Sequence, residues 1–316
     1  MSQPLVGRVQ SHVPVLLGEV LENLLTSGSG IYVDATFGRG GHTRALLEQL
    51  DEGGRVIALD RDPQAYESGL ALAASDQRLT VRKARFSELG KVLAEERVDT
   101  VQGVLMDVGV SSPQLDDAER GFSFADGPLD MRMDPESGEP ASVWLNQAEE
   151  GDIARVLRQH GEERFAKRIA AAIVANRPIE RTQVLAELVA DAIPAAVRRK
   201  SRKHPATKVF QAIRIHINGE LEELAQGLQQ AFDALAPGGR LAVISFHSLE
   251  DRLVKRQFKA WTSPPNLPRR LPVPDQSDVT AARHIAGPVK AQALELAANN
   301  RARSAVLRVV ERRHGD

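Results

Sequence analysis

The run Ile31-Tyr-Val-Asp-Ala-Thr-Phe-Gly-Arg-Gly-Gly-His42 constrains the fold more than any other part of this chain. An apolar stretch leads into glycines at 38, 40 and 41, and Thr43 to Leu50 has helical spacing behind them. The natural reading is a buried strand, a tight turn and a helix. One strand–helix unit later, Arg55-Val-Ile-Ala-Leu-Asp60 is a second apolar strand ending in a carboxylate. Glycines let the backbone approach a ligand, and an acid at the next strand tip takes two ribose hydroxyls. The pairing points to a nucleoside cofactor. The plain alternatives are an ordinary turn, and Asp60 as cap of the helix from Pro63, a role for which Asp62 competes.

The glycine order is G-x-G-G, without the third glycine that a dinucleotide fingerprint uses to pack helix on strand beside a pyrophosphate. This disfavours a nicotinamide oxidoreductase. A neutral or zwitterionic ligand such as S-adenosylmethionine fits better.

Further apolar runs follow at Leu79–Ala84, Gly103–Val110, Arg240–Phe246 and Ser304–Glu311, separated by helical patterns at Val15–Leu25, Pro63–Ala74 and Asp251–Trp261. Such alternation predicts a parallel α/β sheet covered on both faces. The pattern breaks at Ser111–Pro140, which is rich in Gly, Pro, Asp and Ser. Helical periods follow at Glu162–Ala175 and Thr182–Ala192. Asn146 with Glu149 suits a capping box ahead of Ile153. From Ala206 a long helical region runs to Leu235, stepped at Asn218-Gly219. The expected organisation is one α/β domain, residues 1–114 and 206–316, interrupted by a mainly helical insertion at 115–205.

The formal net charge is -1, so a polyanion would have to meet a local patch. Arg198, Arg199, Lys200, Arg202 and Lys203 form the densest candidate; Arg164, Lys167 and Arg168, and Arg269-Arg270, are others. A solvated face is the bland reading of each. Cysteine is absent, which excludes disulfides, thiolate metal sites and cysteine nucleophiles. The histidines lack H-x-x-x-H spacing, so no dedicated metal site is expected. Ser245 and His247 lack the elbow of a serine hydrolase. Neither an apolar leader nor a membrane-length run is seen, and a cytoplasmic protein is expected.

Several runs carry a resemblance. They include His12-Val-Pro-Val-Leu-Leu, Tyr32–His42, Ala58-Leu-Asp-Arg-Asp-Pro-Gln64, Asp107–Leu115, Arg120-Gly-Phe-Ser-Phe124, Pro128–Asp134, Gly161–Lys167, His204-Pro-Ala-Thr207, Phe210–Ile215, Ser245–Asp251 and Arg301–Ser304. On these the chain resembles the bacterial ribosomal small-subunit RNA methyltransferase H (MraW) family. The resemblance implies a Rossmann-like class I methyltransferase sheet, S-adenosylmethionine as donor, and transfer to N4 of a decoding-centre cytidine in 16S ribosomal RNA, in the small subunit or its precursor. It assigns the cofactor to Gly40, Gly41, His42, Asp60, Phe86, Asp107 and Gln114. From position alone, Phe86 is as readily a core residue.

Cytosine N4 is a poor nucleophile because its lone pair is delocalised into the ring. It needs alignment with the methyl and an acceptor for its hydrogens. Asp107, Ser111, Ser112 and Pro113, at the end of the fourth strand, are placed to orient it. Phe122, Phe124 and Trp144 are stacking candidates for a flipped base, with Trp144 better suited to packing the insertion. With 4% aromatic residues, an extended stacking platform is not expected.

Overall fold

The computed structural model describes residues 14–199, 204–264 and 280–314. Seven strands form one sheet: β1 Ile31–Asp34, β2 Arg55–Asp60, β3 Leu79–Lys83, β4 Val101–Asp107, β5 Leu235–Ser245, β6 Ala282–Val289 and β7 Val306–Arg312. The helices of the first part are α1 Leu17–Leu24, α2 Gly41–Gln49, α3 Pro63–Ala73 and α4 Leu89–Glu95. Then come α5 Ser112–Asp116, α6 Ala141–Gln147, α7 Glu150–Gly161, α8 Ala166–Ala175, α9 Thr182–Ala192 and α10 Ala195–Arg198. The last are α11 Thr207–Asn218, α12 Glu220–Ala234, α13 Ser248–Thr262 and α14 Ala293–Ala298.

The strand order is β3-β2-β1-β4-β5-β7-β6. The first five strands run parallel to one another, and β7 lies antiparallel between β5 and β6. Alternate residues of each strand enter opposite cores. Val33, Ile57, Leu59, Val104, Met106 and Val243 pack with α4, α12 and α13. Tyr32, Val56, Ala58, Leu105, Ala242 and Ile244 pack with α1, α2 and α3. That two-sided burial is why these strands read as continuous apolar runs. The topology reverses between β1 and β4, and open α/β sheets hold ligands at the carboxyl ends of the strands there.

The helices between β4 and α11 surround a core of their own, centred on Ile153, Leu157, Ile169, Ile173, Leu185 and Val189. It extends into Val209, Phe210, Ala212 and Ile213 of α11. Gly219, at φ 60, makes the step between α11 and α12.

Some expectations shift. Asn146 is not a cap: it lies inside α6, where its amide clasps the backbone of Ile179 at 2.9 and 3.1 Å. Glu162 does not open a helix. It ends α7 in the left-handed region, and α8 begins at Ala166. The fourth strand stops at Asp107 because Gly109, at φ 115, turns the chain away. Among the described residues no helix is long and apolar enough to cross a membrane.

Candidate cofactor and methyl-transfer site

Asp34 ends β1 and is buried; its Oδ2 accepts the Thr43 hydroxyl at 2.6 Å and its Oδ1 the Thr36 amide at 3.2 Å. These bonds tie the strand tip to the first turn of α2 and shape the loop between them. Gly38 and Gly40 have φ 56 and 71, which favours glycine. At Gly40 a side chain would also strike the Phe37 ring, and at Gly41 it would meet Pro14. The turn is therefore held closed by both conformation and packing.

Asp60 reaches across from β2. Its Oδ2 accepts the Gly38 amide at 2.7 Å and its Oδ1 the Asp62 amide at 2.9 Å. Burial pushes its carboxyl up to about 6, more than those two amide bonds pull it back. Asp62, not Asp60, caps α3 by accepting the Gln64 amide at 2.9 Å. Asp62 also gathers distant parts of the chain. Its Oδ2 accepts Gln114 Nε2 at 2.7 Å and Arg120 Nη1 at 2.8 Å. Gln114 in turn accepts the Ser111 amide at 2.9 Å, so Ser111 caps α5 and Ser112 and Pro113 open it. The Asp62–Arg120 pair was missed from sequence; both residues lie in the matching runs, but nothing in their spacing joins them.

Asp107 ends β4. Its amide donates to Thr36 Oγ1 at 2.7 Å, which registers it against β1. Its Oδ2 lies 3.7 Å from His42 Nδ1, and its Oδ1 is buried without a hydrogen-bond partner. His42 Nε2 lies 3.1 Å from the Val15 carbonyl, which can only accept, so Nε2 carries a ring hydrogen and Nδ1 faces Asp107. Burial raises the Asp107 carboxyl to about 6; nearby His42 opposes this, while Asp34 and Glu250 add to it.

The structure thus brings Gly40, Gly41, His42, Asp60, Asp107 and Gln114 to adjoining strand tips. Phe86 lies beside them in the turn after β3. It is half-buried on the sheet core, so close to Gly227 that a side chain there would overlap its ring. Trp144 packs against His216 with ring centroids 4.4 Å apart. Phe122 is buried, while Phe124 is 36% exposed and stacks on His204 at 4.3 Å. Arg199 is exposed, and Arg198 lies 3.6 Å from Asp191. Lys200, Arg202, Lys203, Arg269 and Arg270 lie outside the described residues. Arg164, Lys167 and Arg168 are exposed around the start of α8.

Among doubly wound sheets, a reversed final strand inserted beside the fifth is the mark of the class I methyltransferases, and this protein is of that Rossmann-like class. The sequence pattern of the MraW methylase family matches residues 9–313. The chain belongs to that family. A protein of Xanthomonas euvesicatoria pv. vesicatoria named ribosomal RNA small subunit methyltransferase H is 52% identical over 316 residues, covering 99% of this chain and 90% of its own. Its namesake in Thiobacillus denitrificans is 53% identical over 304 residues, 96% of this chain and 97% of its own. The crystal structure of an rRNA methylase from Streptococcus thermophilus is a distant likeness, with a TM-score of 0.41 at 11% identity, covering 94% of each chain.

Proposed function

We propose that this methyltransferase moves a methyl group from S-adenosylmethionine to the exocyclic N4 of a decoding-centre cytidine in 16S ribosomal RNA. The observation that carries the reading is Asp107 Oδ1, a buried acceptor with no partner, at the switch point of the sheet beside the glycine turn. The names and near-complete coverage of the relatives support the RNA target.

The residues present fit the donor. Gly40 and Gly41 hold the turn in shape, and Gly38 leaves its backbone open, an added Cβ there meeting only the Thr36 carbonyl at 3.9 Å. Asp60 would take the ribose hydroxyls on its remaining lone pairs, and Phe86 would offer its ring to adenine. The donor supplies an electrophilic methyl on a sulfonium. Asp107 accepts a hydrogen of the incoming amine and holds its nitrogen in line. The Asp107 carboxylate would also take the N4 proton that must leave when the amine gains its methyl. The helical region 115–205 is the proposed RNA-facing part, with Arg198, Arg199, Lys200, Arg202 and Lys203 meeting phosphates.

The test is mass mapping of ribosomal RNA from cells lacking the protein. One small-subunit cytidine should lose an N4 methyl group and regain it when the protein is restored. Unchanged RNA, or a methyl lost from carbon or another base, would overturn the reading.

A second expectation concerns protons. The carboxyls of Asp60 and Asp107 are raised to about 6 in the folded protein, against 3.8 as ordinary side chains. Between those values the folded state holds more protons than the unfolded chain, so these two groups favour folding more as pH falls through that window, and above it they disfavour folding. A sulfonium and two ribose hydroxyls favour the ionised forms. Donor binding at pH 6 should therefore release protons, and release should fade by pH 8. Calorimetry in buffers of different ionisation enthalpy reads this directly; proton uptake at pH 6 would contradict it.

A further inference from the structure

Asp107 Oδ1 is not the only unpartnered buried atom at this end of the sheet. At the tip of β5, His247 Nε2 and Glu250 Oε1 are buried 3.0 Å from each other, and neither makes a well-aligned hydrogen bond. Native proteins pair almost all such groups in good geometry, so a bare acceptor on Asp107 beside a misaligned pair at the neighbouring strand tip calls for an explanation. They form one cluster. The Glu250 charge acts on Asp107, a side chain at Gly109 would come within 4.0 Å of Glu250 Oε1, and His247 Nε2 is 3.0 Å from that same oxygen.

The cap of α13 fixes what each atom can do. The Glu250 amide donates to His247 Nδ1 at 3.4 Å, so Nδ1 carries no hydrogen and Nε2 does. Glu250 Oε2 accepts the Phe246 amide at 2.8 Å and the His247 amide at 3.2 Å. What remains is an N–H donor beside a carboxylate acceptor, close together but misaligned with each other. Burial pushes the Glu250 carboxyl up, but His247, Arg214 and the Phe246 amide outweigh it and keep it ionised.

A cation would suit this cluster poorly, although Glu220, His247 and Glu250 bring possible ligand atoms within 4.8 Å of one another. Both Glu220 oxygens are taken by Arg214, at 2.8 and 2.7 Å. A metal at Nε2 would also need the ring hydrogen on Nδ1, where the helix amide already points.

We propose that His247 and Glu250 read the Watson–Crick edge of the target base, with Glu250 Oε1 accepting an N4 hydrogen and His247 Nε2 donating to N3. The inference rests on the cytosine-N4 reading above. Cytosine presents a donor then an acceptor along that edge, and uracil presents the reverse. Uracil would set its O4 against a carboxylate and its N3 hydrogen against another N–H. With Asp107 taking the second N4 hydrogen, the two carboxylates fix the amino group and would favour a pyramidal nitrogen whose lone pair is freed from the ring. Asp107 and His247 keep 26% and 11% of their side chains exposed, which gives the base its way in.

The test compares small-subunit particles carrying cytidine or 3-deazacytidine, which lacks the N3 acceptor, at the target position. His247→Asn keeps the helix cap, since asparagine caps well, but its shorter amide withdraws the donor from the position of Nε2. Loss of N3 should lower kcat/KM of the unmodified enzyme about tenfold or more, and His247→Asn should lower it similarly on cytidine. The two losses together should equal either alone. Glu250→Gln should lower kcat with donor affinity unchanged. Losses that multiply, or a His247→Asn enzyme with full activity on cytidine, would overturn the inference. An unmodified enzyme that methylates the particle elsewhere than cytidine N4 would instead overturn the function proposed above.

Discussion

Replacing Asp107 with alanine should lower kcat/KM for methyl transfer by about 10²–10³-fold, the usual cost of removing one preorganised polar group from a transition state. It should do so without unfolding the protein. The Asp107 carboxyl is raised to about 6 by burial and by the neighbouring Asp34 and Glu250 charges, so at neutral pH its ionised form is a burden on the fold. The variant should therefore melt at the same temperature or higher while turning over far more slowly. Its main-chain bond to Thr36 survives, since the amide is the donor. Asp107→Asn keeps the shape but not the charge and should recover little activity. Near-normal transfer and donor affinity in the alanine variant would remove Asp107 from the chemistry.

Asp62→Ala should do the opposite, damaging stability first. Asp62 is 4% exposed and Arg120 7%, and the carboxylate is the anion that answers the buried guanidinium. Breaking a buried pair from one side costs about 3–5 kcal/mol, because the remaining charge is stranded. Losing the cap of α3 costs about 1 kcal/mol in addition. Arg120 also donates to the carbonyls of Arg132 and Met133, which cannot neutralise it. Thermal melting should fall by roughly 10 °C. Adding Arg120→Met should restore part of the loss by removing the stranded charge. Unchanged melting in Asp62→Ala would mean that the pair contributes nothing net.

The glycine turn, Asp60 and the parallel strands were legible because each follows from a local rule: two-sided burial makes continuous apolar runs, and positive φ asks for glycine. β6 had no such signal. Along it only Ala282 is buried, and its remaining positions are partly or fully exposed, so neither alternation nor an apolar run marks it. The short helix α4 hid for want of length. Asn146 misled because an asparagine three residues before a glutamate resembles a cap, whereas its real partner, Ile179, is distant in sequence. The ties from Asp62 to Gln114 and Arg120 were invisible for the same reason: side-chain bonds across 52 and 58 residues leave no period.

The place of β7 bears on how the protein is made. It is the last of the strands to be synthesised, yet it occupies an interior position, with β5 on one side and β6 on the other. Until it arrives, Arg240 to Ser245 present a bare edge of amides and carbonyls to the cell. A ribosome-bound intermediate of this chain is therefore a sticky one, and its hazard ends only when that gap is filled.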